Sequence, residues 1–335
     1  MDASGWETLA KAGGGRFSDI YKVKKREEAE GENRIFALKI VDPDDVKPPH
    51  NIRNEVKILN DLKSARISQS VEVPNVIEVI DVIYKNMEYG LLFNYYELSL
   101  HDVLKSHIKT RTRFEPDGSM SKIRVNNISI TYGAKLITGI LKGLQWIHSQ
   151  GIIHRDINPN NILLSNADLN TPVIIDFGIA YQGIDNNGLE DSSKKFTDIA
   201  TGIYKAPELL LSKRDYSNKV DMWAVGIIMS LIFSKDGCVI FDQDAMYSDL
   251  VLLSNILCTF GSPPKDWSDC KDLASFEAMN NTFFTKDPKP MEDVIPLLFS
   301  EPDALLNNRL LQIFRSFTSY ETQKRLSATE ALTLL

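Results

Sequence analysis

The sequence predicts an α+β fold in two unequal parts: a β-rich first part carrying one helix, over about residues 1–95, and a larger, mainly helical part over about 96–335. Three observations carry that prediction. Short apolar runs bounded by charged or turn-forming segments concentrate in the first third of the chain. Beyond it, helical periodicity dominates: Ile137, Ile140, Leu141, Leu144 and Ile147 share one face between Ile128 and His148. Finally, 335 residues of which 43% are hydrophobic provide for a sizeable core and suit about two domain-sized units.

Taken in order, the elements begin with a glycine-rich turn, Gly13-Gly14-Gly15-Arg16-Phe17-Ser18, leading into Asp19-Ile20-Tyr21. Glycines here let the backbone approach a phosphate, although such a turn alone is a weak signal. The charged stretch between Lys24 and Asn33 reads as a solvated hairpin tip. Ile35–Val41 is a strand, and its alternation sets Ala37 and Lys39 on one face, with Phe36, Leu38 and Ile40 on the other. After Pro48-Pro49 a helix runs through Ile52, Val56, Leu59 and Leu62, with Glu55 beside the apolar stripe. Val76–Tyr84 and Gly90–Tyr96 are two further strands. Residues 109–126 hold five basic residues (Lys109, Arg111, Arg113, Lys122, Arg124) against two acidic (Glu115, Asp117), and are expected to form a mobile, solvated loop or a docking strip for an acidic partner. A periodic helix follows from Ile128 to His148. Ile162-Leu163-Leu164 and Val173-Ile174-Ile175 are short strands joined by a polar turn. Trp223–Phe233, the longest apolar stretch, is a core helix too short to span a bilayer.

Bulk properties exclude several classes. A net charge of −7 argues against a general nucleic-acid binder. Three cysteines without metal spacing suit a reduced, intracellular compartment, cytoplasm or nucleus. The polar first residues lack a signal-peptide pattern, and Met1-Asp2 excludes N-myristoylation. No membrane partner is therefore expected.

The chemistry concentrates in His154-Arg155-Asp156-Ile157-Asn158-Pro159-Asn160-Asn161 and in Asp176-Phe177-Gly178. The short strands between these loops bring Asp156, Asn161 and Asp176 around one point. Asn161 and Asp176 offer the hard oxygens that Mg²⁺ with a phosphate chain requires. Asp156 is left to accept a hydrogen bond from an incoming hydroxyl. This is a layout for phosphoryl transfer from ATP, in which catalysis is mostly positioning and charge neutralisation.

These loops resemble the H-R-D…N and D-F-G signatures of the eukaryotic protein kinases. Thr201-Gly202-Ile203-Tyr204-Lys205-Ala206-Pro207-Glu208 resembles the end of a protein-kinase activation segment, a feature that kinases of small molecules generally lack. Asp221-Met222-Trp223 resembles the helix whose aspartate braces the catalytic loop, and Arg325 the arginine that pairs with the glutamate, here Glu208. The resemblance covers nearly the whole chain and implies a bilobal fold: N-lobe 1–95, C-lobe 96–335. It implies Asp156 as proton acceptor, Lys39 held by Glu55 on the ATP phosphates, and Mg²⁺ on Asn161 and Asp176. Gly13, Gly15, Ile20, Ala37, Phe93 (the gatekeeper), Tyr95, Tyr96 and Leu163 would line the ATP site. Ile256-Leu257-Cys258-Thr259-Phe260-Gly261-Ser262-Pro263 is similar to the cyclin-dependent kinase branch. Phe196–Glu208 is closer to the fungal monomeric cyclin-dependent-kinase-activating kinases, which implies a monomer whose protein substrate is the activation-loop Thr of a cyclin-dependent kinase.

Two departures from the pattern bear on the chemistry. Ser18 replaces the third glycine of the loop. Asn158 stands where Ser/Thr kinases place a Lys that touches the transferring phosphate and the segment threonine, Thr201. A unit charge at ~4 Å is worth about 4 kcal/mol at an effective dielectric of 20, on the order of a thousandfold in rate. Two Mg²⁺ bring more charge to the same phosphates, and Asn158 is expected to bridge Asp156 and Thr201, so the chemistry is expected to be slowed or retuned. Arg155 offers a clamp for a phosphate on the activation segment, with Thr197 the candidate phosphosite; the resemblance favours the other reading, an ordinary loop threonine, because the monomeric activating kinases do not depend on such a phosphate. Two other classes remain open on sequence: an ATP-binding scaffold of a cyclin-dependent kinase that transfers nothing, and a small-molecule phosphotransferase.

Overall fold

The computed structural model describes residues 5–26, 34–183, 189–280, 286–300 and 304–335. From residue 27 onward, the expected hairpin tip after Lys24 lies outside them. Among the described residues five antiparallel strands form the first sheet: β1 (Trp6–Gly14), β2 (Asp19–Lys25), β3 (Phe36–Val41), β4 (Val79–Lys85) and β5 (Glu88–Asn94), in the order β1-β2-β3-β5-β4. Ile20 lies opposite Lys39, and Ala37 opposite Phe93. Opposed residues share a face, so all four look the same way. On the other face Val23, Phe36, Leu38 and Leu92 make a small separate core, closed by Trp6, Tyr21 and Ile40.

Helix α1 (Ile52–Gln69) starts where the sequence predicts. The Asn51 side chain caps it by accepting from the Asn54 amide, and Ser70 ends it in a left-handed turn at φ 51°. It buries Ile52, Ile58, Leu59 and Leu62 against the main core.

Helix α2 (Leu100–Ser106) opens on a Ser99–Asp102 capping box. The stretch that follows corrects the expected mobile loop: it is a hairpin of β6 (Ile108–Phe114) and β7 (Met120–Asn126) in unbroken register. Its turn runs through Pro116-Asp117-Gly118, with Gly118 at φ 83° and its amide bonded to the Glu115 carbonyl at 3.0 Å. Thr110, Thr112, Ile123 and Val125 supply β-branched residues at alternating positions. The basic residues hid this period because the hairpin buries neither face along most of its length.

The helical lobe comprises α3 (Ile130–Ser149), α4 (Pro207–Leu210), α5 (Lys219–Ile232), α6 (Asp249–Phe260), α7 (Ala274–Asn280), α8 (Met291–Val294), α9 (Ala304–Phe317) and α10 (Ala328–Leu332), with the short pair β8 (Ile162–Leu164) and β9 (Pro172–Ile174) facing the cleft. The predicted stripe of α3 is fully buried, and the apolar Trp223–Phe233 stretch is core as expected. One contiguous core joins α1, α3, α5 and α9. Among the described residues no helix is long and apolar enough to cross a membrane.

Candidate active site

The loop carrying Asp156 is held from beneath. Arg155 sits at φ 72°, a conformation that costs a non-glycine residue about 1–3 kcal/mol unless its surroundings impose it. Asp221, in the first turn of α5, imposes it by accepting from the amides of His154 (2.9 Å) and Arg155 (2.8 Å). His148 Nε2 lies 2.9 Å from the same carboxylate. Burial works against the charge of Asp221, but these bonds and the nearby imidazoles outweigh it and keep its pKa below the ordinary value. His154 meets the buried ring of Phe177 edge-on, with 5.0 Å between centroids.

Asp156 gathers three residues that the sequence singles out. Thr201 Oγ1 donates to Asp156 Oδ1 at 2.7 Å, Asn158 Nδ2 donates to the same oxygen at 3.0 Å, and Asn161 Nδ2 donates to Oδ2 at 2.7 Å. The expected Asn158 bridge from Asp156 to Thr201 is corrected by this geometry. Thr201 reaches the carboxylate itself, and Asn158 turns its Oδ1 back onto the amides of Asn160 (3.0 Å) and Asn161 (3.3 Å). A side chain two bonds shorter than lysine does not extend to the segment; it caps its own 3₁₀ turn instead.

The second cluster centres on Lys39. Its Nζ lies 2.7 Å from Glu55 Oε1 and 2.9 Å from Asp176 Oδ1. Burial disfavours the ammonium, yet the two carboxylates prevail and raise its pKa above the usual lysine range. Burial also opposes ionisation of Asp176, but the Lys39 charge and hydrogen bond hold its pKa at about 2. Burial pushes Glu55 upward against the pull of Lys39. Two bonds dock α1 onto the loop after Asp176: the Asn51 amide to the Gly178 carbonyl, and Asn54 Nδ2 to the Ala180 carbonyl, each 3.0 Å. With its amide nitrogen committed to Asp156, Asn161 keeps Oδ1 free of hydrogen bonds among the described residues; Asp176 likewise keeps Oδ2. Two uncommitted hard oxygens on facing loops fit Mg²⁺.

At the other end of the cleft, Gly13 pairs with Ile20, and the Gly15 amide closes the glycine turn onto the Ser18 carbonyl at 2.8 Å. Ala37 and Phe93 lie on the face shared with Ile20 and Lys39. Tyr95 and Tyr96 follow β5 directly, and Leu163 lies in β8 opposite Val173. Four residues here were not singled out from sequence. Lys22, on the Ile20 face by alternation, places Nζ 4.4 Å from the Tyr95 ring centroid. Asn166 ties the segment after β5 to the β8–β9 turn, donating to the Tyr95 carbonyl (2.8 Å) and accepting from the Glu97 amide (2.9 Å). His50 stacks edge-on against Phe17 of the glycine turn at 4.8 Å. Period-two counting from Ile20 finds Lys22; the contacts of Asn166 and His50 carry no local signal.

The fourth is Glu190. The candidate phosphate clamp at Arg155 is already engaged: its Nη1 and Nη2 lie 2.6 and 3.1 Å from the two Glu190 oxygens, and Tyr216 Oη accepts from Nη1 at 3.1 Å. Glu190 also accepts from the Phe196 amide at 2.7 Å, and both side chains of the ion pair are fully buried. Thr197 is half-buried, and among the described residues no hydrogen bond joins it to Arg155. At the end of the segment Arg325 grips Glu208 through two bonds of 2.6 and 2.8 Å, as the sequence predicts.

A kinase cleft is thereby assembled from end to end, and comparison with known proteins agrees. The protein kinase domain family matches residues 6–334, and the chain belongs to that family. It is 30% identical over 284 residues to serine/threonine-protein kinase CAK1 of Saccharomyces cerevisiae, covering 74% of each chain. It is 27% identical to serine/threonine-protein kinase csk1 of Schizosaccharomyces pombe, over 80% of this chain and 78% of that one. Cell division control protein 2 homolog 3 of Trypanosoma brucei brucei is 29% identical, over 96% of this chain and 88% of its own. The chain is a serine/threonine protein kinase of the cyclin-dependent-kinase-like group, resembling the fungal activating kinases.

Proposed function

We propose that this kinase transfers the γ-phosphate of ATP to the activation-loop threonine of a cyclin-dependent kinase and acts as a monomer. The observation that carries this reading is the Lys39–Glu55 pair, closed at 2.7 Å by α1's own bonds to Gly178 and Ala180. An enzyme that switches on other kinases gains from needing no activator of its own. The similarity to CAK1 and csk1 supports the substrate class.

In this reading the substrate hydroxyl enters beside Asp156, where Thr201 already donates an alcohol hydrogen bond. Asp156 orients the oxygen and accepts its proton as the new O–P bond forms and the bond from γ-phosphorus to the bridging oxygen breaks, releasing ADP. Lys39, positioned by Glu55, exchanges its contact with Asp176 for the α- and β-phosphates. Asn161 and Asp176 would hold Mg²⁺, which supplies charge neutralisation on the phosphate oxygens. Gly13 and Gly15 cover the phosphates; Ile20, Ala37, Phe93, Tyr95, Tyr96 and Leu163 enclose the adenine.

The test incubates the pure chain with Mg²⁺, radiolabelled ATP and a cyclin-dependent kinase. Label is expected on the loop threonine and absent from its Thr→Ala form. Asp156→Asn should lower kcat by about 10²–10⁴. Label on casein alone, with none on any cyclin-dependent kinase, would move the substrate elsewhere; no transfer at all would favour a scaffold.

A further inference from the structure

The hairpin β6–β7 leaves a cleft of about 410 Å³ between itself and the catalytic loop. Its apolar lining includes Leu104, Ile108, Leu231 and Val239, and the cleft reaches Pro159, Asn160 and Thr201, the last hydrogen-bonded to Asp156. Its charged lining is wholly basic, Lys105 and Arg124, and no carboxylate contributes. The hairpin base is fixed. Asn126 Nδ2 donates to the carbonyls of Ile232 and Ser234 at 2.9 Å each, and its amide to that of Lys235 at 2.8 Å. Ile108 presses onto Gly237, where a Cβ would come within 2.0 Å of Ile108 Cδ1 and where φ is 68°. Only glycine lets the strand seat there.

By register, Ile108, Thr110, Thr112 and Phe114 of β6 share a face with Asn126, Arg124, Lys122 and Met120 of β7. Three members of that face line the cleft: Ile108, Arg124 and Asn126. Beyond the cleft it continues past Lys122 to Phe114 and Met120, which are 76% and 70% exposed. Among the described residues no carboxylate pairs with Lys122 or Arg124, the two cations of that face. A cationic face with an apolar tip, on a chain of net charge −7, leads straight to the catalytic carboxylate.

We propose that the β6–β7 face is a docking surface for the protein substrate, and that it selects an acidic segment with an apolar anchor side chain on the same polypeptide as the phosphoacceptor. The anchor fills the cleft over Leu104 and Val239 while carboxylates meet Arg124 and Lys122. Charge on such a rim speeds and orients encounter, and the desolvated anchor supplies the hold. The inference rests on the reading of the chain as a kinase of protein substrates. The apolar lining favours a polypeptide over a nucleic acid, which would use the charge and leave the cleft empty.

Fluorescein-labelled 15-residue peptides test it: one of Glu, Leu and Phe around a single Thr, the other with Lys for each Glu. Anisotropy is read with the full chain and no ATP. The acidic peptide should bind the wild type, weaken with salt, and lose roughly tenfold with Lys122→Glu/Arg124→Glu and severalfold with Phe114→Ser/Met120→Ser. These side chains are exposed, so folding is retained, and circular dichroism verifies it. Equal binding to wild type and variants, preference for the basic peptide, or displacement of the acidic peptide by a single-stranded RNA oligonucleotide at lower concentration than by unlabelled peptide would overturn the proposal. Label transfer is followed in parallel. Binding without transfer to any protein would fault the kinase reading and leave the docking face standing, whereas transfer with variant-insensitive binding and KM would do the reverse.

Discussion

At Asn158 the chain replaces a long cation by a short amide, and the structure shows what the amide does instead. Its Nδ2 steadies Asp156 and its Oδ1 caps the turn that presents Asn161. Asp156 therefore keeps three donors, Asn158, Asn161 and Thr201, without a lysine among them. The missing charge must be felt at the transferring phosphate, because the arginine of the same loop, Arg155, is buried against Glu190 and cannot replace it. Two opposed effects are expected from Asn158→Lys. Loss of the cap should lower stability by about 1 kcal/mol, and a new cation near the phosphates should hold kcat at or above the wild-type value. Thermal unfolding and initial rates at saturating ATP separate them. A fall in kcat of more than tenfold, at a temperature where the variant is fully folded, would mean that the amide is itself indispensable to the loop.

Among the elements, the activation segment differs most from what its motifs suggest. An arginine before the catalytic aspartate invites a phosphate, but Glu190 lies 35 residues further on and supplies a carboxylate to the same guanidinium. A buried carboxylate with two arginine bonds and a backbone amide is a permanent version of that contact, independent of any modifying enzyme. Removing one partner of a buried pair leaves the other charge uncompensated, at about 3–5 kcal/mol. Glu190→Ala should therefore unfold at lower denaturant and lose protein phosphorylation, whereas Thr197→Ala and phosphatase treatment should each leave the rate within about twofold of wild type. Chymotrypsin nicking near Phe196, measured beside the rates, reports whether the segment has come loose. Inactivation by phosphatase alone would restore Thr197 as the controlling residue.

For the whole molecule, the two-part architecture, the loops that carry Asp156 and Asp176, and the Glu208–Arg325 pair were legible because each lies in a motif that resembles the protein kinases; the resemblance, not spacing, joins two residues 117 positions apart. The hairpin at 108–126 was not, because a ribbon exposed on both faces need not alternate in polarity. Glu190, Asn166 and His50 were not, because they lie in no recognisable motif and only folding brings their partners to them. The seating of α1 belongs to this second group and decides whether the kinase can act alone. Its apolar face joins the core of the large lobe, while Asn51 and Asn54 bond the backbone after Asp176. The small sheet core of Val23, Phe36, Leu38 and Leu92 is separate, and α1 shares the connection between the lobes with Val41, Val79 and Leu91 on the sheet's other face. Asn54 is the exposed point of that argument. Asn54→Ala leaves the Ala180 carbonyl buried without its donor, at about 1–3 kcal/mol, comparable to the free energy that separates a seated helix from a displaced one. The variant should show a raised KM for ATP and a kcat that falls as Lys39 loses Glu55, while the wild type keeps the same turnover per chain on dilution from micromolar to nanomolar. Unchanged constants in Asn54→Ala would mean that the docked loop does not hold the helix, and a wild-type rate that fell on dilution would mean that a second chain does.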